Sequence, residues 1–115
     1  MVTITDEAIF RLADIAGKGQ ADFQRDYKDV DPVVGIMRSL RDSGFAADAM
    51  TIDCLQSGKR IICILHDSTP EVVDYQFSYR DKDPAATFEK IALEELNASQ
   101  FYAWMKDYFI GAEPS

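Results

Sequence analysis

Five consecutive apolar residues near the middle of the chain, from Ile61 to Leu65, constrain its fold more than any other feature. The run lies between the polar segments SGKR and HDSTP, which predicts a strand from Arg60 to Asp67. Successive side chains of a strand point to opposite faces of a sheet, so this strand is apolar on both faces. Both faces must therefore be covered near its centre, either by helices of the same chain or by a second subunit.

Two neighbouring segments also carry strand patterns. Residues 49–56 are short and rich in apolar residues, and residues 71–80 alternate apolar and polar side chains. Short connections join these segments to the central strand on either side. The sequence therefore predicts a three-stranded antiparallel meander in which Arg60 to Asp67 is the middle strand.

Helical patterns precede this meander. Apolar residues at helical spacing predict a first helix from residue 5, which Gly17 and Gly19 are expected to end. Asp31 as a cap and Pro32 in the first turn predict another helix that runs to Gly44. The sequence leaves open whether residues 20–30 form a helix or a loop.

Helical patterns also follow the meander, over residues 84–110. An apolar stripe of Phe88, Ile91, Ala92 and Leu96 predicts one helix, and Asn97 or Ser99 is a suitable cap for another. A single bent helix is the alternative. The expected fold class is α+β: one domain over residues 1–115, with N-terminal helices before a three-stranded antiparallel meander and two C-terminal helices after it.

The charge balance limits the partners that the chain would tolerate. Twenty acidic and twelve basic residues give a formal net charge of −8, which repels nucleic-acid phosphates and anionic lipids. No apolar run is long enough to span a bilayer, and the first residues lack the features of a secretory signal. We therefore expect a cytoplasmic protein that binds neither nucleic acid nor membrane.

The two cysteines lie on either side of the SGKR turn. If Gly58 and Lys59 are the central residues of a two-residue hairpin turn, Cys54 faces Cys63 as a closely spaced pair. Such a pair is either a redox-sensitive thiol switch or part of a reduced core, and its apolar neighbours favour the core. Metal binding is not expected, since there is no C-x-x-C spacing. No cofactor is expected either.

Polar residues at the end of the central strand form a second candidate site. The same hairpin register would place His66 opposite Thr51 and on the same face as Asp53, close to Asp67. Asp53, His66 and Asp67 are therefore candidates for a polar pocket in a small enzyme or ligand-binding domain. A solvated margin of the sheet explains the same residues, and no catalytic motif accompanies them.

The segment FYAWMKDYF is unusually aromatic. On a helix its apolar arc is wider than one core contact requires, so part of it is a candidate partner or homodimer interface. Completion of the domain's own core is the alternative. The interface candidates are Phe101, Tyr102, Trp104 and Tyr108.

These features together favour binding over catalysis. We expect a small acidic protein-binding domain of the adaptor, chaperone-like or immunity-like kind. Its expected partner is a protein, and the acidic surface favours a basic one. The alternatives are a ligand-binding domain or enzyme with a pocket between sheet and helices, and a thiol switch at Cys54 and Cys63.

Overall fold

An antiparallel sheet of five strands, with helices packed on it, gives the chain its α+β fold. The computed structural model describes residues 4–82 and 87–111. The elements in chain order are α1 (Ile4–Asp26), β1 (Pro32–Met37), α2 (Ser39–Asp42), β2 (Ala47–Cys54), β3 (Lys59–His66), β4 (Val72–Tyr79), β5 (Glu89–Ala92), a 3₁₀ turn (Leu93–Glu95), α3 (Ala98–Met105) and a π-helical segment (Lys106–Gly111).

The predicted meander is confirmed, but it is part of a larger sheet. The strands lie in the order β1-β2-β3-β4-β5, and each pairs antiparallel with its neighbour. The three predicted strands correspond to β2, β3 and β4, and β3 is the central strand. β1 and β5 extend the sheet by one strand on each side.

The helix predicted from Pro32 to Gly44 is wrong. Residues 32–37 form β1, and only the four residues of α2 are helical in this region. The β-branched residues of the segment VVGI fit a pleated strand, and Gly35 disfavours a helix. Pairing with β2 then decides the conformation, because β2 is buried along nearly its whole length and needs a partner on this side.

The helix end predicted at Gly17 and Gly19 is also wrong, since α1 continues to Asp26. Glycine costs a helix roughly 1 kcal/mol relative to alanine, but Phe23 in the continuing turns is fully buried in the core. Gly19 has a packing role: a Cβ there would lie 2.7 Å from the carbonyl oxygen of Ala98 and 3.0 Å from Cβ of Phe101. The absence of a side chain lets α3 cross α1 closely.

The helix predicted through Phe88 to Leu96 is replaced by β5 and the 3₁₀ turn. Ile91 lies opposite Val73 of β4, so the apolar residues of this segment extend the sheet. Residues 84–86, where the predicted helical segment begins, lie outside the described residues. The cap predicted for the following helix is confirmed, because the Asn97 side chain accepts a hydrogen bond of 2.8 Å from the backbone N–H of Gln100 at the start of α3.

The main core lies between one face of the sheet and the helices α1 and α3. Ile61, Cys63 and Leu65 of β3 point into it, as the alternation of a strand requires. Ile62 and Ile64 point to the opposite face, which is bordered by the short α2 and has no long helix on it within the described residues. The largest fully buried side chains of the main core include Phe23, Phe101, Ile9, Leu12, Met50, Ile52, Ile61 and Met105.

No helix within residues 4–82 and 87–111 combines the length and the hydrophobicity needed to cross a bilayer.

Candidate functional site

The face of the sheet opposite α1 and α3, called here the open face, carries a groove of about 420 Å³. Its floor is apolar and comes from the ends of β1 and α2 and from the middle of β2 and β3. Its rim is charged and comes from the start of β3 and the turn after β4. The lining residues are Met37, Leu40, Ala49, Ile62 and Ile64 on the floor, and Arg60, Arg80, Asp81 and Lys82 on the rim.

The rim is organised around Asp53 of β2. Arg60 lies opposite Asp53 in the sheet and donates two hydrogen bonds to its carboxylate, Nε to Oδ1 at 2.7 Å and Nη2 to Oδ2 at 3.0 Å. Arg80 approaches the same carboxylate at 3.6 Å. The hydrogen bonds with Asp53 raise the pKa of Arg60. Asp53 therefore holds two arginines in place beside the groove and is itself neutralised by them.

The structure does not bring the predicted polar pocket residues together. His66 lies opposite Ala47, so the predicted pairing with Thr51 is wrong. Asp53 is six positions from Ala47 along β2, which separates it from His66 by about 20 Å. His66 Nε2 lies 3.3 Å from Asp74 Oδ2. Asp67 binds Arg41 instead.

The reason is the register of β2 with β3, which also separates the cysteines. Four residues, 55–58, connect the two strands, so Met50 faces Cys63 and the predicted pairing of Cys54 with Cys63 is wrong. Gly58 does have the expected positive φ, 75°, and its N–H donates to the carbonyl oxygen of Cys54 at 2.9 Å. Cys54 and Cys63 point into the same core about 13 Å apart along the sheet, too far for a disulfide.

Both thiols are buried. Burial raises the pKa of Cys63 to about 12, which suppresses the reactive thiolate at neutral pH.

The aromatic residues predicted as an interface take part in packing within the chain. Phe101 is fully buried, and Trp104 stacks on Tyr75 of β4 with 4.4 Å between ring centroids. Tyr102 donates a hydrogen bond to Asp26 at the end of α1, which raises the pKa of Tyr102 to about 12. Tyr108 donates to the carbonyl oxygen of Ser78 at 2.6 Å. These contacts fix α3 and the π-helical segment to α1 and β4.

The sequence reasoning missed an ion cluster around the buried Asp48 at the other end of β2. Asp48 is 1% exposed and accepts hydrogen bonds from Arg38, both 3.1 Å, and from Arg41, 2.8 and 2.9 Å. Arg41 also donates to both carboxylate oxygens of Asp67, at 2.9 and 2.7 Å. The pKa of Asp48 is lowered to about 2, mainly by the hydrogen bonds from Arg41. An acidic residue inside an otherwise apolar strand was the available signal.

Asp48, Asp53, Asp67 and Asp74 are thus each paired with a basic side chain. The hydrogen bonds from Arg41 and Arg38 hold the pKa of Asp48 far below the near-neutral value that suits a general base. Residues 4–82 and 87–111 also contain no group of three side chains placed to hold a metal ion.

Comparison with protein-family models, with curated proteins and with solved structures finds no match.

Proposed function

We propose that this chain is a small non-catalytic protein-binding domain that receives a segment of its partner in the groove of the open face. One observation carries the proposal: Ile62 and Ile64 of the central strand form an apolar floor on the face that no long helix covers within the described residues. Apolar surface at the centre of a polar rim is the usual anatomy of a protein interface.

The shape of the groove favours a protein segment over a small molecule. Small-molecule sites are concave and bury most of the ligand. This groove lies on the surface of a sheet, and flexible arginine and lysine side chains form its rim. It offers room for one or two side chains that project from a larger partner.

The rim predicts the charge of that segment. Three of the lining residues are basic, Arg60, Arg80 and Lys82, and one is acidic, Asp81. The sequence-based expectation of a basic partner came from the net charge of −8, which describes the whole chain. At the groove the local balance is reversed, so we propose an apolar side chain flanked by acidic residues as the occupant.

The test compares variants of the immobilised protein in affinity capture from the source cell. Ile64→Glu places a charge on the groove floor, and Leu55→Glu is the matched control, because Leu55 is 53% exposed in the β2–β3 connection outside the groove. We expect partners that the wild type and Leu55→Glu retain and that Ile64→Glu loses. Arg80→Glu should weaken the same partners if the bound segment is acidic.

Equal capture by Ile64→Glu and the wild type would overturn the proposal. Tighter capture by Arg80→Glu would keep the groove and reverse the predicted charge of the segment.

A further inference from the structure

The outer edge of β1 is an uncharged strand edge. Within the described sheet β1 pairs with β2 alone, so the N–H and C=O groups of its other edge have no strand partner. Its sequence, PVVGIM, contains no charged residue, and Val33 and Ile36 are 45% and 37% exposed. Such an edge is a ready template for another strand unless charge, proline, a bulge or short length protects it, and the proline of β1, Pro32, lies at its first position and leaves the centre of the strand unprotected.

The opposite edge of the sheet has that protection. β5 has four residues, and two of them are the exposed Glu89 and Lys90. Lys90 bonds Asp74 on the neighbouring strand, with 2.9 Å between Nζ and Oδ1. The chain therefore blocks pairing at β5 and leaves β1 suitable for it.

We propose that β1 pairs antiparallel with β1 of a second copy of this chain, so that the two sheets become one continuous sheet in a homodimer. A twofold axis perpendicular to the sheet keeps the core side of both copies on the same side. Residues that lie opposite each other in the two β1 strands then have side chains on the same side of the sheet. A register in which Gly35 lies opposite Gly35 of the second copy meets this condition. Val34 faces Ile36 of the second copy on the core side, and Val33 faces Met37 on the open face.

This register explains why the occupant is a second copy. Its pairs Val34 with Ile36 and Val33 with Met37 each join two apolar side chains, and such pairs stabilise antiparallel strands. The residues that flank β1 have opposite charges, Asp31 before it and Arg38 after it. In this register Arg38 of one copy lies opposite Pro32 of the other and one position from Asp31, so like charges do not meet at either end. Arg38 keeps 43% of its side chain exposed while it binds Asp48.

The helix above β1 is compatible with this arrangement. α1 packs on β1, and α3 lies against the flank of α1 that holds Gly19 and Asp26. The flank away from α3 carries uncharged residues at helical spacing, so the second copy can approach without burying a charge. These residues are Ala13, Gly17, Gln20 and Gln24.

Sedimentation equilibrium of designed variants tests the proposal. A Cβ at Gly35 would meet nothing closer than Thr51 Oγ1 at 3.7 Å, an ordinary contact, so the backbone of the monomer has room for the first side-chain atom of Gly35→Lys. In the dimer it places two lysines directly opposite each other, and we expect the dissociation constant of the dimer to rise more than about a hundredfold. The wild type and the control Leu55→Lys should sediment at twice the chain mass of 12.9 kDa.

A mixing experiment tests the register. Gly35→Asp alone should be as monomeric as Gly35→Lys, but an equimolar mixture of the two should form a heterodimer, because residue 35 faces itself across the axis. Circular dichroism verifies that each variant is folded, and Val33→Lys replaces Gly35→Lys if the latter is not. A wild type that stays monomeric at all soluble concentrations, a dimer that survives the lysine variants, or a mixture that stays monomeric would overturn the proposal.

Discussion

Asp48 is a charged residue whose environment in the sheet keeps it ionised. Arg38 and Arg41 each donate two hydrogen bonds to its carboxylate. These charge-assisted hydrogen bonds offset the free-energy cost of removing the charge from water. Only Asp48 is buried in this cluster, so loss of its arginine partners would leave a buried charge unpaired. The cluster joins α2 to β2 and, through Asp67, to the end of β3.

We predict that Asp48→Asn lowers the free energy of unfolding by about 2 kcal/mol, because the charge-assisted hydrogen bonds from Arg38 and Arg41 are weakened. Urea denaturation measures the change. Asp42→Asn, an exposed acid on α2, is the matched control and should shift stability by less than about 0.5 kcal/mol. A loss for Asp48→Asn no larger than that of the control would contradict the structural role of the cluster.

The same residue predicts a pH dependence. The pKa of Asp48 falls from 3.8 to about 2 on folding, so its contribution is complete above pH 4 and is lost as the pH falls toward 2. The stability difference between the wild type and Asp48→Asn should therefore shrink by about 2 kcal/mol over that interval. Denaturation at a series of pH values measures it, and a constant difference would contradict the lowered pKa.

The cysteines allow a second prediction at the residue scale. Cys54 and Cys63 are buried and too far apart to bridge, so mild oxidant should form no intramolecular disulfide in the folded protein. Both thiols should react with a thiol reagent only as fast as the protein opens, and at once in denaturant. Mass spectrometry after oxidation, together with labelling rates, provides the measurement. Rapid joint loss of both thiols under native conditions would support a thiol switch instead.

At the scale of elements, two glycines of α1 have different roles. Gly19 is where α3 crosses, whereas a Cβ at Gly17 would meet nothing within 4 Å. We predict that Gly17→Ala stabilises the protein by about 0.5–1 kcal/mol through helix propensity. Gly19→Ala should destabilise it by about 1–3 kcal/mol, because the added methyl group overlaps a backbone oxygen of α3. Thermal unfolding of both variants measures the two changes in stability. Equal changes would show that α1 and α3 do not cross at Gly19.

The sequence was sufficient for elements with one strong pattern. The central strand and its neighbours were predicted correctly, because a continuous apolar run and an alternating run both indicate strands. Residues 32–37 were not, since the cap and proline signals at Asp31 and Pro32 also suit the entry to a strand. Tertiary pairing decides such short apolar segments, as it did for β5.

The candidate site was less predictable than the fold. The contacts of Asp53, His66 and Cys54 all depend on the register of β2 with β3, and a change of loop length moves every pair. SGKR fitted a two-residue turn, whereas the structure uses a four-residue connection. The ion cluster around Asp48 joins residues from α2, β2 and the end of β3, which no local pattern relates.

At the scale of the whole molecule, α1, α3 and the sheet contribute side chains to one continuous core. Trp104, the single tryptophan of the chain, packs between α3 and β4, and α3 contacts α1 through Phe101. We therefore predict that Trp104 fluorescence and far-ultraviolet circular dichroism follow the same denaturation curve, as expected for a two-state domain of this size. Trp104→Leu, followed by circular dichroism alone, should lower the denaturation midpoint by shrinking an aromatic contact in the core. A fluorescence transition that precedes the loss of secondary structure would show that the C-terminal helix undocks independently, which would restore its aromatic face as a surface for partners.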